Sequence, residues 1–479
     1  MTARKSRVAS EDQRGAWNLE REFAGSVLGH QDRSRRLELI VAALGKDPSA
    51  TFPAAFGTRV ETDAAYDFFA NPRVDAQSIL EPHYRETADR CVNETGDILV
   101  ISDTTEIAFT GTRDGLGRLS DGRQGFLLHV SLAVRADRTR HVLGVLNTEM
   151  LVRAPRDPTV PKKHQRERYA DPDKESLRWG RCIKATDTRL AGRATGRVIH
   201  VMDREADDYA LFDQLVSNKN LFVIRVKYDR NLAPGDGGIP RKIFDHLRGR
   251  AGVCQRTVRI SRRVKDGPPR SAKVHPPREE RDAALSFCAG AVEVPRPKGA
   301  FDHLAKCLPL NLVRVWEPAA VPGEESVEWL LITNLPVDTP AQILEIVDIY
   351  RDRWTIEDFN KALKSGCSVE KRQLEHGAAL MNATAACVPL AYGLLRLRTY
   401  ERTQPNTPAG DLLSKEELKV IATMTKLPSN PTVHDALRAI ASLGGHMTNN
   451  GRPGWLVLMR GYRKVSLLAD YERHRDDGR

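Results

Sequence analysis

Three apolar, β-branched runs stand close together in the first half of the chain: ILVISDTTEIAF (Ile98 to Phe109), FLLHVSLAV (Phe126 to Val134) and HVLGVLNTEMLV (His141 to Val152). Each is short, rich in Val, Ile and Leu, and bounded by Gly, Asp or Arg turns, the pattern of an antiparallel meander. A helical stretch follows in KESLRWGRCIKATDTRL (Lys174 to Leu190), then a strand in RVIHVMD (Arg197 to Asp203). A helix from about Ala206 to Ser217 and a strand in LFVIRVKYD (Leu221 to Asp229) complete the series. Three strands, helix, strand, helix, strand predict an α/β fold with a mixed sheet that helices cover on both faces.

The flanks have a different texture. From Ala16 to about Cys91 the apolar clusters in RRLELIVAAL and DAAYDFF recur at helical spacing, the second stopped by Asn71-Pro72. From about Asn231 to Glu325, Pro-Gly punctuation separates short alternating segments (Cys254 to Val264, Ala283 to Val294, Leu308 to Trp316), which read as a β-rich insertion. A strand, Glu328 to Pro336, leads into a helix announced by Asp338-Thr339-Pro340 and expected to run to about Gly366. The remainder reads as largely helical. At roughly 150 residues per domain, 479 residues suffice for about three. The expected segments are a helical region over 1–92, a core in two parts over 93–230 and 327–372, an insertion over 231–326 and a helical region over 373–479.

Lys plus Arg number 74 against 63 Asp plus Glu, a formal charge of +11, which favours a polyanion over a neutral metabolite as partner. Two clusters concentrate it: Arg33, Arg35 and Arg36, and the stretch Arg256 to Arg281. Each is compatible with a solvated face or a DNA contact. No apolar run reaches the roughly 18 residues of a membrane span, and the N-terminus lacks the apolar stretch of a secretory signal. A soluble cytoplasmic protein without a membrane partner is expected. The seven cysteines are odd in number and never in Cys-x-x-Cys pairs, which predicts neither a disulfide framework nor a zinc site.

Asp103 follows the apolar run ILVIS and Asp203 ends RVIHVMD, so two carboxylates fall on strands of one sheet. A buried carboxylate is costly without a compensating charge or donor. Either alone is compatible with a capping or turn aspartate; two in one sheet point to a shared site. On an ideal helix Tyr350, Arg353, Glu357 and Lys364 project at about 0°, 300°, 340° and 320°, a polar stripe about 60° wide. Ile356, Phe359 and Leu363 fall on the other side. Asp103, Asp203 and Glu357 together form an all-oxygen ligand set suited to Mg²⁺ or Mn²⁺ and not to Zn²⁺. Two such ions can bind both the attacking and the leaving oxygen of a phosphoryl displacement. The basic residues beside Glu357 then suit a phosphate backbone, and Tyr350 and Trp329 offer faces for an unstacked base. Trp329 is equally compatible with a core position at a strand start.

The motifs carrying these residues resemble those of the DDE transposases of the insertion-sequence-four family, most closely the transposon-five type. Its signature, Tyr-x2-Arg-x3-Glu-x6-Lys, is present as YRDRWTIEDFNKALK with Tyr350, Arg353, Glu357 and Lys364. The first-aspartate motif is similar to SDTTEIAF with Asp103, and the second to DREAD with Asp203. AAYDFFANPRV, KESLRW, IRVK and LGG extend the likeness over nearly the whole chain. The resemblance implies a ribonuclease-H-like core interrupted by the insertion, with 1–92 binding DNA and 373–479 dimerising. It implies Asp103, Asp203 and Glu357 as catalytic ligands of two Mg²⁺ or Mn²⁺ ions. It further implies a flipped base stacked on Trp329, Arg225, Tyr350 and Arg353 on the flipped nucleotide and its phosphates, and Lys361 and Lys364 on the DNA backbone. The expected partners are double-stranded transposon-end and target DNA and a second copy of the chain in a synaptic complex, in a bacterial cytoplasm at the nucleoid. The implied activity is cut-and-paste transposition through a hairpin intermediate.

Two other functions fit the same composition. A non-catalytic DNA-binding relative or inhibitor would bind without metal, and a ribonuclease-H-like nuclease would cut without joining ends to a target. The three acids count against the first, since a protein that only binds a polyanion has no use for them there.

Overall fold

The computed structural model describes residues 19–154, 174–233, 242–263, 277–319, 321–447, 449 and 451–477. The described residues begin with five helices, α1 (Leu19–Phe23), α2 (Gln31–Lys46), α3 (Phe52–Phe56), α4 (Arg59–Ala70) and α5 (Ala76–Val92). Their starts follow from local capping: the side chains of Thr58 and Asp75 accept from Glu61 N and Ser78 N, satisfying first-turn donors that have no helical partner. α4 ends at Ala70, just before Asn71-Pro72, where the proline disfavours helical backbone at the preceding residue.

Among the described residues, ten strands form one sheet. They are β1 (Ile98–Phe109), β2 (Gly117–Arg118), β3 (Gln124–Arg135), β4 (Val142–Leu151), β5 (Val198–Met202), β6 (Leu221–Arg225), β7 (Cys254–Ile260), β8 (Arg281–Pro295), β9 (Cys307–Trp316) and β10 (Glu328–Thr333). The order is β2-β3-β1-β5-β6-β10-β9-β8-β7, with β4 on β3. β1, β3 and β4 are the expected antiparallel meander, β5 and β6 run parallel to β1, and β10 returns antiparallel to β6. Helix α6 (Leu177–Leu190) precedes β5, and α7 (Tyr209–Ser217) crosses from β5 to β6. The insertion is not a separate β unit: β9 pairs with β10, β8 with β9 and β7 with β8, so it widens the same sheet.

Both faces of this sheet are covered, because successive side chains of a strand point to opposite sides. Val223, Leu331 and Val313 join the main core, while Phe222, Ile224, Ile332 and Leu312 join the cluster that includes Trp179, Phe212 and Leu215.

The helix after β10 departs from expectation. A capping box between Thr339 and Gln342 starts α8 (Pro340–Asp352), but regular helix is interrupted at Arg353 and Trp354 before α9 (Thr355–Lys361). A π-helical turn, Ala362–Gly366, completes the segment. Four helices follow: α10 (Gly377–Thr403), α11 (Lys415–Met424), α12 (Val433–Leu443) and α13 (Trp455–Asp477). α10 is long and apolar enough to cross a membrane, yet 83% of its apolar window is buried within the protein; it is a core helix. Asn382 on α10 donates to the carbonyls of Phe69 and Val74, and Arg372 donates to those of Pro48 and Ala50, docking the N-terminal helices on the core. All seven cysteines are free thiols.

Candidate active site

The parallel register of β1 and β5 places Ser102 opposite Met202. Asp103 and Asp203 are the next residues on these neighbouring strands, so the sheet itself brings the two carboxylates together. Asp103 Oδ1 accepts from Thr104 N at 2.9 Å, and Asp203 Oδ1 accepts from Glu205 N at 2.8 Å. Asp203 therefore does cap the short turn Arg204–Ala206, as a strand-end aspartate commonly does, but with one oxygen only.

Glu357 reaches the same place from α9 through Arg353. The Arg353 guanidinium lies 3.7 Å from Asp103 Oδ2 and donates to Glu357 Oε1 at 2.8 Å. Burial, followed by the negative charge of Asp203, pushes the Asp103 carboxyl up to about 7; Arg353 and the Thr104 N–H oppose this, and Glu357 adds to it. Asp103 is thus poorly solvated and feels the charge of both other acids, with Arg353 the nearest opposing cation. Among the described residues no Asp, Glu, His and Cys side chains are already gathered as a metal-binding set. Arg353 stands where the expected ligand trio would close, so the trio is convergent rather than preassembled.

An aromatic and basic wall adjoins the acids. The rings of Trp329 and Tyr350 meet edge to face with centroids 5.7 Å apart, and the guanidinium of Arg225 lies 5.7 Å from the centre of the Trp329 ring. Arg353 sits 5.9 Å from the Tyr350 ring and 5.6 Å from that of Trp354, which is half exposed. Burial, then the proximity of Arg204 and Arg353, lowers the pKa of Arg225 against the favourable influence of Tyr350. Buried Arg353 Nε has no hydrogen-bond partner, leaving a donor unsatisfied beside the acids. Trp329 is partly buried against the main core, so it has a packing role whatever else it does.

Of the two lysines, Lys361 is exposed, whereas Lys364 donates from Nζ to the Glu106 carbonyl at 2.5 Å and lies 3.7 Å from Glu370. The projected stripe fails here. The break at Arg353 and the π-turn carry Lys364 onto β1, and Tyr350 is only 3% exposed.

Several supporting residues escaped the sequence reading. Buried Asp207 accepts from Lys227 N, Tyr228 N and Arg230, which fixes the chain just beyond Arg225. Its DREAD motif was the available signal. Glu106 accepts from Ser120 and Arg153, and Arg178 links Thr104 to Glu205. Nothing in their local sequence announces these pairings.

Residues 15–74 match the family model described as Transposase DNA-binding, and residues 183–388 match the Transposase DDE domain. Together they support a DDE transposase, and the DDE domain implies a metal-dependent DNA-cutting enzyme. The matched DDE domain contains Asp203 and Glu357; Asp103 lies before its matched residues but beside Asp203 in the sheet. The matched DNA-binding domain comprises the segment from before α1 through α4 and stops short of α5.

Proposed function

We propose that this protein is a cut-and-paste transposase of the transposon-five type, with Asp103, Asp203 and Glu357 as its catalytic carboxylates. The observation that carries the reading is the convergence of the three acids: two from adjacent parallel strands, one from the helix across them, all bearing on the protonation of Asp103. Such mutual repulsion in a poorly solvated space fits a divalent cation, and the all-oxygen donor set fits Mg²⁺ or Mn²⁺. Bound there, as two ions, the metal supplies activation of the attacking oxygen and stabilisation of the leaving one.

The chain's own residues do the rest. Arg353 holds Glu357 and Asp103 together. Arg225, Tyr350 and Trp329 form a basic aromatic wall suited to an unstacked nucleotide, because stacking and cation–π contact recover part of the cost of flipping. Lys361 contacts the DNA backbone directly; Lys364 does so on exchanging its hold on the Glu106 carbonyl. In sequence, water hydrolyses a phosphodiester at the transposon end and frees its 3′-hydroxyl; that hydroxyl attacks the opposite strand's phosphodiester, closing a hairpin and releasing the flanking DNA with a 3′-hydroxyl; water hydrolyses the hairpin phosphodiester; and the regenerated 3′-hydroxyl attacks a target phosphodiester, releasing a target 3′-hydroxyl. Two copies act in a synaptic complex. Exposed Leu467, Leu468 and Tyr471 on α13 support pairing through the C-terminal helices. The setting is the bacterial cytoplasm, at the nucleoid.

The test is a denaturing gel of labelled transposon-end duplex incubated with protein and Mg²⁺. A nicked strand followed by a hairpin species is expected, then joined product on addition of target plasmid. Cleaved ends without hairpin or joining would reassign the protein as a nuclease of the same fold.

A further inference from the structure

Arg178, at the start of α6 and only 5% exposed, lies outside the three acids and the aromatic wall. Its guanidinium reaches both aspartate-bearing segments. Nε donates to Thr104 Oγ1 at 2.8 Å, and Nη2 donates to Glu205 Oε2 at 2.7 Å. Nη1 is anchored on the Glu175 carbonyl at 2.7 Å. Thr104 and Glu205 are the residues whose backbone N–H groups hold Asp103 Oδ1 and Asp203 Oδ1. One planar fork therefore ties together the side chains of the two residues whose backbone N–H groups orient the two carboxylates.

The tie is itself braced. The Thr104 hydroxyl accepts from Arg178, so its own hydrogen is available to His129 Nδ1, 2.9 Å away. His129 packs edge-on to Trp179 with ring centroids 4.5 Å apart, and the Arg178 guanidinium lies 5.5 Å from the centre of the Trp179 ring. A lysine has one point charge in place of a fork and cannot reproduce two fixed directions at once.

We infer that Arg178 is a positioning residue: it sets the separation and orientation of Asp103 and Asp203, so that a divalent cation meets a prearranged pair. This rests on the reading of those aspartates as metal ligands. Outer partners of metal-binding carboxylates commonly change metal affinity about 10-fold to 100-fold when removed.

The experiment titrates Mn²⁺ into the full-length protein bound to transposon-end duplex, with free Mn²⁺ read by electron paramagnetic resonance. DNA affinity and unfolding midpoint are measured alongside. Arg178→Gln should weaken Mn²⁺ binding about 10-fold while DNA affinity is kept. Glu205→Ala cuts one arm at a side chain that is 58% exposed, so this variant should fold. It should weaken Mn²⁺ binding in the wild-type background and add nothing in the Arg178→Gln background, because both remove the same link. Unchanged Mn²⁺ affinity in folded Glu205→Ala, or fully additive losses, would overturn the inference while leaving the metal reading intact. Absence of Mn²⁺ binding by the wild-type complex would overturn the metal reading and this inference with it.

Discussion

At the scale of single residues, the aspartates were legible because each ends an apolar run and both stand in recognisable motifs. What holds them was not. Arg178 and Thr104 are 74 residues apart, and the pairing exists only once the sheet is built. Glu22 is a second case. It is buried on α1, where His83 Nδ1–H donates to Oε2 at 2.6 Å and Arg90 donates to Oε1 at 2.9 Å. His83 Nε2 accepts from Val145 N, so the ring is neutral with its proton on Nδ1, and burial keeps it so. Burial alone would raise the Glu22 pKa; the hydrogen bond from His83 and the charge and hydrogen bonds of Arg90 oppose it and hold the carboxyl below its ordinary value. A depressed carboxyl contributes stability above its unfolded pKa and loses it as pH falls through the folded one. Glu22→Gln should cost about 3 kcal/mol near neutral pH, because it leaves Arg90 without its countercharge. In denaturant unfolding the gap between variant and wild type should narrow as pH falls below the ordinary carboxylate range. A gap that is constant over that window would mean the carboxylate charge is not what holds α1 to α5.

At the scale of elements, most strands were readable to within two residues, because strands buried on both faces read as continuous apolar runs; β6, β7 and β10 stop three or four residues sooner than the sequence suggests, and the two-residue β2 was not foreseen. The glutamate-bearing segment was not readable in this way, because an ideal projection assumes unbroken helix. The interruption at Arg353 still leaves Arg353 and Glu357 one turn apart and bonded, yet it detaches Lys364 from their stripe. Nor did the insertion's sequence show that β9 would pair with β10 and so extend the core sheet. The meeting of β10 and α8 at Trp329 and Tyr350 is where element packing bears on chemistry. Trp329→Ala should slow hairpin formation more than first-strand nicking in a single-turnover time course. Equal slowing of the two steps would assign Trp329 to packing alone.

For the whole molecule, the surplus of +11 says less than its distribution. The insertion's basic stretch, which composition left open between solvated face and DNA contact, is largely matched by acids where it is described. Arg256 pairs with Asp348, Arg259 with Glu280 and Asp282, and Arg281 with Glu317 and Glu324; residues 264–276 lie outside the described residues. A cation already paired releases few counterions on meeting DNA. Arg259→Gln should therefore leave the slope of log affinity against log salt unchanged, whereas a drop in slope of about 0.9 would place that arginine on a phosphate. Docking of the N-terminal helices through Arg372 and Asn382 joins the segment similar to a transposase DNA-binding domain to the one that follows Glu357. The central claim is that three acids from three separate elements act as one. Its most direct measurement is Mg²⁺-dependent cleavage of transposon-end DNA by Asp103→Asn, Asp203→Asn and Glu357→Gln, each assayed beside its DNA affinity. All three should bind the end as wild type does and cut it at least a thousandfold more slowly, roughly the 4 kcal/mol that such a rate ratio represents. Cleavage at near wild-type rate by any one of them would contradict the account.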